Sequence, residues 1–277
     1  GNGLAINDPN SGYDETGFSA VENHCYDPDY KDKKTDQNIS NMYANREPRF
    51  YASVVYQGRS WFKKWMNGNP NYIVDFSAGG GNDLSNGDNV KTGYMLGKFK
   101  NRTVNHASGD TQSWKRVSII YRLVEFYLFY AEALNETDPS NPDIIKYIDM
   151  VRERAGIPGY QTMNDNGIKT GIIGNYDKQF DAIQHERYVE LYCEGQRYFD
   201  IRRWMICGDK DRIGCDQTRF YGMNMKGSKD KTPGEPTSYY TRTKVENRQW
   251  TDKLYLYPIH QNVIELANGR IPQNYGW

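Results

Sequence analysis

The sequence carries no net charge and no long apolar run. Lysine and arginine total 35 residues, and aspartate and glutamate also total 35, so no overall field favours a nucleic acid or an anionic membrane as a partner. No apolar run approaches the roughly 18 residues that a membrane-spanning helix needs. The sequence therefore predicts neither a nucleic-acid-binding protein nor a transmembrane helix within these 277 residues.

Residues that usually carry catalysis or bind metals are also scarce. The four cysteines include no CxxC pair and no histidine at metal-ligand spacing, so no zinc site is predicted. Cys207 and Cys215 flank the segment CGDKDRIGC and could close a short disulfide loop in an exported protein; free thiols are the alternative. None of the four histidines lies in a nucleophile pattern, and GxSxG, HExxH and P-loop motifs are absent. These absences disfavour a hydrolase or a transferase, and no cofactor is predicted.

Aromatic residues, in contrast, are abundant. They make up 14% of the chain, with 23 tyrosines and 6 tryptophans, although only 37% of the residues are hydrophobic and the mean hydropathy is −0.88. Tyrosine and tryptophan combine a large apolar face with a polar edge. Such rings either build a core or are displayed for stacking on ligands.

One stretch, DAIQHERYVELYCEGQRYFDIRRW at Asp181–Trp204, predicts a long amphipathic helix. It contains no proline, and its apolar residues recur close to the 3.6-residue period. At about 1.5 Å per residue the helix would be on the order of 35 Å long. Its single glycine, Gly195, is interpreted as a packing feature that lets a neighbouring element approach closely.

A second helix is predicted over Ser118–Glu136, where apolar residues on more than one face indicate burial on more than one side. Asn141 is a candidate cap for a third helix with Pro142 at its first position. The short connection predicts an αα-hairpin. Near the end of the chain, Gln261–Ala267 predicts one or two helical turns.

The predicted strands are few and short. Arg49–Tyr56 is β-branched and aromatic, and Asn71–Phe76 is its predicted hairpin partner. Lys253–Tyr257 predicts another short strand. Residues 1–45 show little periodicity and are expected to form a long ordered loop. The sequence thus divides into a loop-rich part with the β-hairpin (1–113), a three-helix scaffold (114–207) and a loop-rich C-terminal tail (208–277).

Three glutamates on the long helix, Glu186, Glu190 and Glu194, are one turn apart. A carboxylate pair for glycoside hydrolysis must flank the scissile bond, whereas residues one turn apart on a helix point the same way. Like charges at this spacing repel unless cations neutralise them. We therefore predict a structural ion-pair network in which Arg122 of the preceding helix and Arg197 neutralise Glu190 and Glu194.

The motifs in this chain resemble those of the SusD/RagB family. The segment RYVELYCEGQRYFDIRRW is similar to the family's ER-x-x-EL-x-x-EG-x-R-[YWF]-x-D-[IL]-x-RW helix. Four other segments match in the family's order. REPRFYASVVYQG, YRLVEFYLFYAEALNE and DMVRERAGIP precede this helix, and the closing LYPIHQNVIELANGRIPQNYGW follows it. Glu47, His260 and Tyr275 depart from the family's pattern locally. Each motif alone is weak, but five in order over about 230 residues make a specific match.

The resemblance implies a mainly α fold of tetratricopeptide-related helix pairs with long ordered loops and a small β-hairpin. It covers only the family's C-terminal half; the N-terminal half, with a lipid-bearing cysteine, is expected to be missing. It further implies a non-catalytic protein exposed on the outer membrane of a Bacteroidetes-like bacterium. Such a protein captures oligosaccharides for a SusC-like TonB-dependent transporter, and only a lipid anchor on the missing part attaches it to the membrane.

The candidate ligand-contacting residues are aromatic residues in predicted loops, because sugar rings stack on aromatic faces. They are Tyr13, Tyr26, Tyr30, Trp61, Trp65, Tyr72, Tyr239 and Tyr240. Trp114 and Trp204 are predicted to be core residues. Two other functions stay open: a peptide-binding member of the same family, and a glycosidase or lyase that uses carboxylates from two loops.

Overall fold

The computed structural model describes residues 2–27, 29, 31, 33–62, 72–87, 89–103, 118–209 and 220–277. In this part of the chain the protein is mainly helical with long loops, as predicted. The helices are α1 (Pro48–Ser53), α2 (Leu123–Thr137), α3 (Asp143–Arg154), α4 (Tyr160–Asp165), α5 (Tyr176–Glu190), α6 (Gln196–Arg203) and α7 (Gln261–Leu266). The strands are β1 (Phe18–Asn23), β2 (Lys34–Ser40), β3 (Val54–Val55), β4 (Met95–Leu96), β5 (Phe220–Met223) and β6 (Arg242–Glu246).

Helices α2 and α3 form the predicted αα-hairpin. The Asn141 side chain accepts a hydrogen bond from the backbone N–H of Asp143 at 3.0 Å, which satisfies an otherwise unpaired donor of the first turn of α3. The faces that meet are apolar, with Leu128 of α2 and Ile148 of α3 fully buried. Helix α5 packs against both, so the three helices share one core.

The predicted long helix is two helices, and the single-helix prediction is wrong. Helix α5 ends at Glu190, and α6 begins after Gly195, which has a left-handed backbone with φ of 83°. Cys193, between them, also has a positive φ, of 60°. A run of residues in the right-handed helical region cannot pass through these conformations. A side chain at Gly195 would meet no atom within 4 Å, so this glycine serves the turn, and the packing interpretation is also wrong.

The strand predicted at Arg49–Tyr56 is mostly helix. Pro48 occupies the first position of α1, where its fixed φ favours helix initiation, and only β3 is extended. This strand pairs with β4. The segment predicted as its partner pairs with the residues that follow β3 instead, since Gly58 N–H donates to Val74 O and Val74 N–H donates to Arg59 O, both at 2.9 Å.

Several elements lie where loops were predicted. Residues 1–45 contain an antiparallel hairpin of β1 and β2 with an irregularity between Ser19 and Val21. Strands β5 and β6 pair in the C-terminal tail, and α4 is a further helix in the part predicted as a three-helix scaffold. The segment predicted as a strand at Lys253–Tyr257 overlaps a 3₁₀ turn, Asp252–Tyr255, whereas the predicted helical turns near the C-terminus are confirmed as α7.

Two hydrophobic cores organise the described residues. The helical core is formed by α2, α3, α4 and α5. The aromatic core joins residues from both ends of the chain: Val21, Cys25, Ile39, Met42, Tyr43, Val55, Tyr56, Trp61, Phe62, Val74, Phe76, Met223, Met225, Tyr239 and Tyr240. Residues from the parts predicted at 1–113 and 208–277 thus share one core.

Helix α2 is buried on one side only. Val124, Leu128 and Ala131 lie in the helical core. Leu123 and Phe126, on the opposite side, are 63% and 58% exposed. The prediction of burial on more than one side is therefore wrong for this structure.

No helix in the described part of the chain has both the length and the apolar character of a membrane span.

Candidate functional site

Glu190 and Glu194 are held by Arg122, as the sequence indicated. Arg122 immediately precedes α2, and its guanidinium reaches Glu190 at 2.6 Å and Glu194 at 2.6 Å. It also donates to the backbone carbonyl of Glu190 at 2.8 Å. Both carboxylates are thus engaged in ion pairs and do not face an open site as an acid/base pair would.

Two cations that sequence reasoning missed connect the same glutamates to the aromatic core. Arg49 of α1 pairs with Glu186, and with Glu190 at 3.0 Å. Lys98, which follows β4, pairs with Glu194 and donates to the carbonyls of Glu190 and Tyr192 at 2.8 and 3.2 Å. A cation at a helix C-terminus satisfies free carbonyls and interacts favourably with the helix dipole. These contacts fasten the end of α5 to the aromatic core.

Burial alone would raise the pKa of the Glu190 carboxyl, but hydrogen bonds from Arg122 and Arg49 outweigh it and hold the pKa below its ordinary value. A third guanidinium, that of Arg154, lies 2.5 Å from the same carboxylate. Glu190 therefore stays ionised at neutral pH, where it serves as the anion of a structural cluster.

Helix α6 is fixed to α5 by a different pair. Arg187 forms a bidentate ion pair with Asp200 at 2.9 and 3.0 Å, and both side chains are buried. Arg197, predicted to neutralise Glu194, places its guanidinium 4.7 Å from the centre of the Tyr188 ring. The fork geometry of arginine suits both arrangements.

Four of the eight aromatic candidates are buried. Tyr26, Trp61, Tyr239 and Tyr240 are between 0% and 8% exposed, and the last three belong to the aromatic core. The Tyr239 and Tyr240 rings pack edge to face at 5.3 Å, and Tyr239 O–H donates to the carbonyl of Gly93 at 2.8 Å. Rings covered in this way present no face to a ligand in this structure, because they supply the apolar area of a core.

Two candidates are half-buried and reach the surface. Tyr13 donates its phenolic O–H to Glu15 at 2.8 Å, and the Arg46 guanidinium lies 5.3 Å from the centre of its ring. Burial and the Glu15 carboxylate raise the pKa of Tyr13 to about 12, so it remains a hydrogen-bond donor at neutral pH. Tyr72 donates to the side-chain oxygen of Asn82 at 3.3 Å beside a glycine-rich loop.

The remaining candidates cannot be placed. Tyr30 and Trp65 lie outside the described residues, as do Trp114 and Cys215. Trp204 is half-buried at the end of α6 and donates its indole N–H to Glu132 at 2.8 Å.

A cavity of about 720 Å³ lies beside α5, an element that sequence reasoning assigned to scaffold alone. Residues of the N-terminal segment, α4, the loop before α5 and α5 itself line it. The ring of Tyr188 contributes aromatic surface, and Lys178, Asp181 and His185 contribute polar groups. Lys178, Asp181, His185 and Tyr188 follow a spacing of three or four residues, which places them on one helix face. That spacing can be seen in the sequence and could have indicated a shared face of the helix.

His185 sits in the cavity wall, accessible from the cavity yet surrounded by protein. Desolvation lowers the pKa of its imidazole below the ordinary value, against the opposing effect of the nearby Glu186 carboxylate. The ring is therefore neutral at neutral pH and can donate one hydrogen bond and accept another. In the described residues, no group of three or more histidine, cysteine, aspartate or glutamate side chains could hold a metal ion.

Comparison with known proteins decides the family. The model of the SusD family matches residues 6–277, nearly the whole chain. The chain belongs to the SusD family. The motifs of α2, α3, α5 and α6 that resembled the family all lie within the matched residues.

Two solved structures share the fold. A SusD-like protein from Bacteroides fragilis is 28% identical with a TM-score of 0.65, and BT4246, solved as the selenomethionine protein, is 28% identical with a TM-score of 0.68. Each alignment covers 87% of this chain. SusD-like protein P2 of Formosa agariphila is 35% identical over 82 residues, which are 30% of this chain.

The chain spans only part of these SusD-family relatives. It covers 41% of the Bacteroides fragilis chain, 39% of BT4246, and 16% of SusD-like protein P2. Much of each relative therefore has no counterpart in these 277 residues.

Proposed function

We propose that this chain is part of a non-catalytic protein that binds oligosaccharides at the cell surface for uptake through a SusC-like TonB-dependent transporter. The observation that carries the proposal is the family match over residues 6–277. The SusD family is known for surface glycan-binding proteins. In this proposal the protein is exposed on the outer membrane of a Bacteroidetes-like bacterium and attached by a lipid on a part of the polypeptide outside this chain.

The cavity beside α5 is the proposed glycan site. Its volume falls in the range of small-molecule sites, about 300 to 1,000 Å³. The aromatic ring of Tyr188 suits the C–H patches of a sugar ring, and Asp181 and Lys178 suit its hydroxyl groups. A neutral His185 can bond a hydroxyl group without attracting a counter-ion.

Tyr13 and Tyr72 remain proposed contacts at the surface of the aromatic core, and Tyr30 and Trp65 remain predictions. Tyr13 has a carboxylate and a guanidinium beside its ring, which is the combination of groups that hydrogen-bonds vicinal hydroxyls. Separate substitutions test these residues and the cavity.

A glycan array probed with the purified protein, followed by calorimetry on the best glycan, tests the proposal. We expect Tyr188→Ala to weaken binding about tenfold, the equivalent of one lost aromatic contact. Tyr13→Ala and Tyr72→Ala test the surface contacts. Tyr275→Ala is the matched control, since this tyrosine is exposed near the C-terminus and does not line the cavity.

A peptide library screened in parallel distinguishes the peptide-binding alternative. Binding of peptides without any glycan would overturn the proposal. Incubation with plant and host polysaccharides should release no new reducing ends; sustained release would identify an enzyme instead.

A further inference from the structure

Two lysines that line the cavity beside α5 have no anionic partner among the described residues. Lys169 lies in the loop between α4 and α5, and Lys178 lies in the first turn of α5. In the part of the chain that the structure describes, neither ammonium group forms an ion pair. This wall of the cavity therefore carries positive charge that no described carboxylate neutralises.

The backbone brings the two lysines to the same place in the cavity wall. Lys178 Nζ would lie 3.3 Å from a Cβ atom at Gly171, so the ammonium group rests against the backbone of that glycine. Gly171 is two residues after Lys169, and two residues of chain span at most about 7 Å. Two positive charges this close repel each other, and an anion bound by both removes the repulsion.

The other charged groups of the cavity lining leave a positive balance. Asp181 and Asp209 line the cavity together with Arg197, and each of these three side chains has interactions of its own. His185 is neutral at neutral pH because desolvation lowers its pKa. Three cations of the described lining thus face two carboxylates. A concave wall with an excess of one charge attracts ligands of the opposite charge.

We propose that the cavity beside α5 binds an acidic oligosaccharide, with the carboxylate or sulfate group of one sugar unit held by Lys169 and Lys178. This inference rests on the proposed function and specifies the class of glycan. Thr170 also lines the cavity and offers a hydroxyl donor to the same anionic group.

The spacing along α5 separates the acidic sugar unit from the stacked one. Tyr188 follows Lys178 by ten residues. That separation is about 15 Å along the helix axis. A single sugar ring does not span this distance, so the unit that stacks on Tyr188 and the unit that carries the charge are different members of one oligosaccharide.

Matched acidic and neutral glycans test the inference on the full-length gene product. An array of uronate-containing, sulfated and neutral oligosaccharides identifies the best-bound glycan, and calorimetry compares it with its carboxyl-reduced or desulfated form. We expect the best glycan to be acidic and to lose about tenfold or more in affinity when its charge is removed. Comparison of the carboxyl-reduced with the desulfated form distinguishes a carboxylate from a sulfate group.

Substitutions of the two lysines connect that preference to this cavity. Lys169→Gln and Lys178→Gln should each weaken binding of the acidic glycan about fivefold to tenfold and leave binding of its neutral form unchanged. Lys226→Gln is the matched control, since Lys226 is exposed, forms no ion pair with a described residue and does not line the cavity. The acidic glycan should also protect Lys169 and Lys178, but not Lys226, from chemical acetylation read by mass spectrometry.

Three results would overturn the inference while leaving glycan binding intact. The best-bound glycan could be neutral, or removal of its charge could leave the affinity unchanged. The third result is binding of an acidic glycan that Lys169→Gln and Lys178→Gln weaken no more than Lys226→Gln does. Absence of binding to every glycan on the array would instead refute the proposed function itself, and this inference with it.

Discussion

Three arginine side chains converge on Glu190. One carboxylate, 4% exposed, accepts contacts from Arg49, Arg122 and Arg154. These arginines come from α1, from the residue before α2 and from α3, so a single side chain connects three elements to α5. A buried ion of this kind is stable only while its partners remain.

We expect Glu190→Gln to lower the free energy of unfolding by about 3 kcal/mol, because it keeps the shape but removes the negative charge that Arg49, Arg122 and Arg154 share. Urea denaturation measures this. Glu153→Gln is the matched control, since Glu153 is exposed on α3. Affinity of the folded protein for its ligand should change little; equal stability of the two variants would contradict the structural role.

The pH dependence of stability follows from the lowered pKa of Glu190. The ordinary glutamate pKa is 4.5, and in the native protein it is lower, so on acidification the unfolded chain binds the proton first. The stabilisation is fully present above pH 4.5 and is lost as the pH falls through the native pKa. The stability difference between the unsubstituted protein and Glu190→Gln should therefore be constant near neutral pH and shrink on acidification, as urea denaturation at a series of pH values will show.

Part of this cluster could be predicted from the sequence. The helical spacing of Glu190 and Glu194 required a nearby cation, and Arg122 was the available one. The contributions of Arg49 and Lys98 could not be predicted, since they lie more than 90 residues away and reach the glutamates through the tertiary fold.

At the scale of elements, the turn between α5 and α6 sets the direction of α6. Gly195 has φ of 83° and no atom within 4 Å of the position of a Cβ. The only cost of a side chain there is conformational, because L-residues are disfavoured in the left-handed region.

Gly195→Ala should therefore destabilise the protein by about 1 to 2 kcal/mol, and Gly195→Asn by less, since asparagine tolerates this region. Thermal denaturation compares them. Gly87→Ala is the control: its surroundings are equally open and its φ is not in the left-handed range. A Gly195→Ala protein as stable as the Gly87→Ala protein would contradict this assignment.

Element types were predicted correctly where apolar periodicity was long, as in α2 and α3. The predicted element types were wrong where the composition of a segment disagreed with its flanking residues and its tertiary contacts. Residues 49–56 have the aromatic and β-branched composition of a strand, yet Pro48 starts a helix there and Arg49 pairs with α5. Strands β1 and β2 were missed because polar residues interrupt their alternation.

At the scale of the molecule, the aromatic core closes the fold by joining residues distant in sequence. The ring centroids of Tyr43 and Tyr56 are 4.8 Å apart, and the ring centroid of Tyr240 lies 6.4 Å from that of Tyr43. Tyr239 is fully buried between residues of the N-terminal and C-terminal segments, and donates to Gly93.

Tyr239→Ala should remove about 3 to 5 kcal/mol of stability, because it leaves a cavity and an unpaired carbonyl in this core. Limited proteolysis should then cleave the region of β5 and β6 first. Tyr221→Ala is the matched control on β5, where the ring is exposed. Equal protease resistance of both variants would show that the C-terminal segment does not depend on the aromatic core.

The sequence alone identified the family through its motifs, and it implied the mainly α fold through that resemblance. It also predicted the αα-hairpin from apolar periodicity and a short connection, and the pairing of Arg122 with the glutamates of α5 from the need of like charges one turn apart for a cation. It could not determine which aromatic rings are buried, since a tyrosine in an irregular segment looks the same whether it fills a core or faces solvent. Burial depends on contacts between residues far apart in the chain, such as Tyr239 and Gly93. The cavity beside α5 emerges only when the elements that line it are placed together.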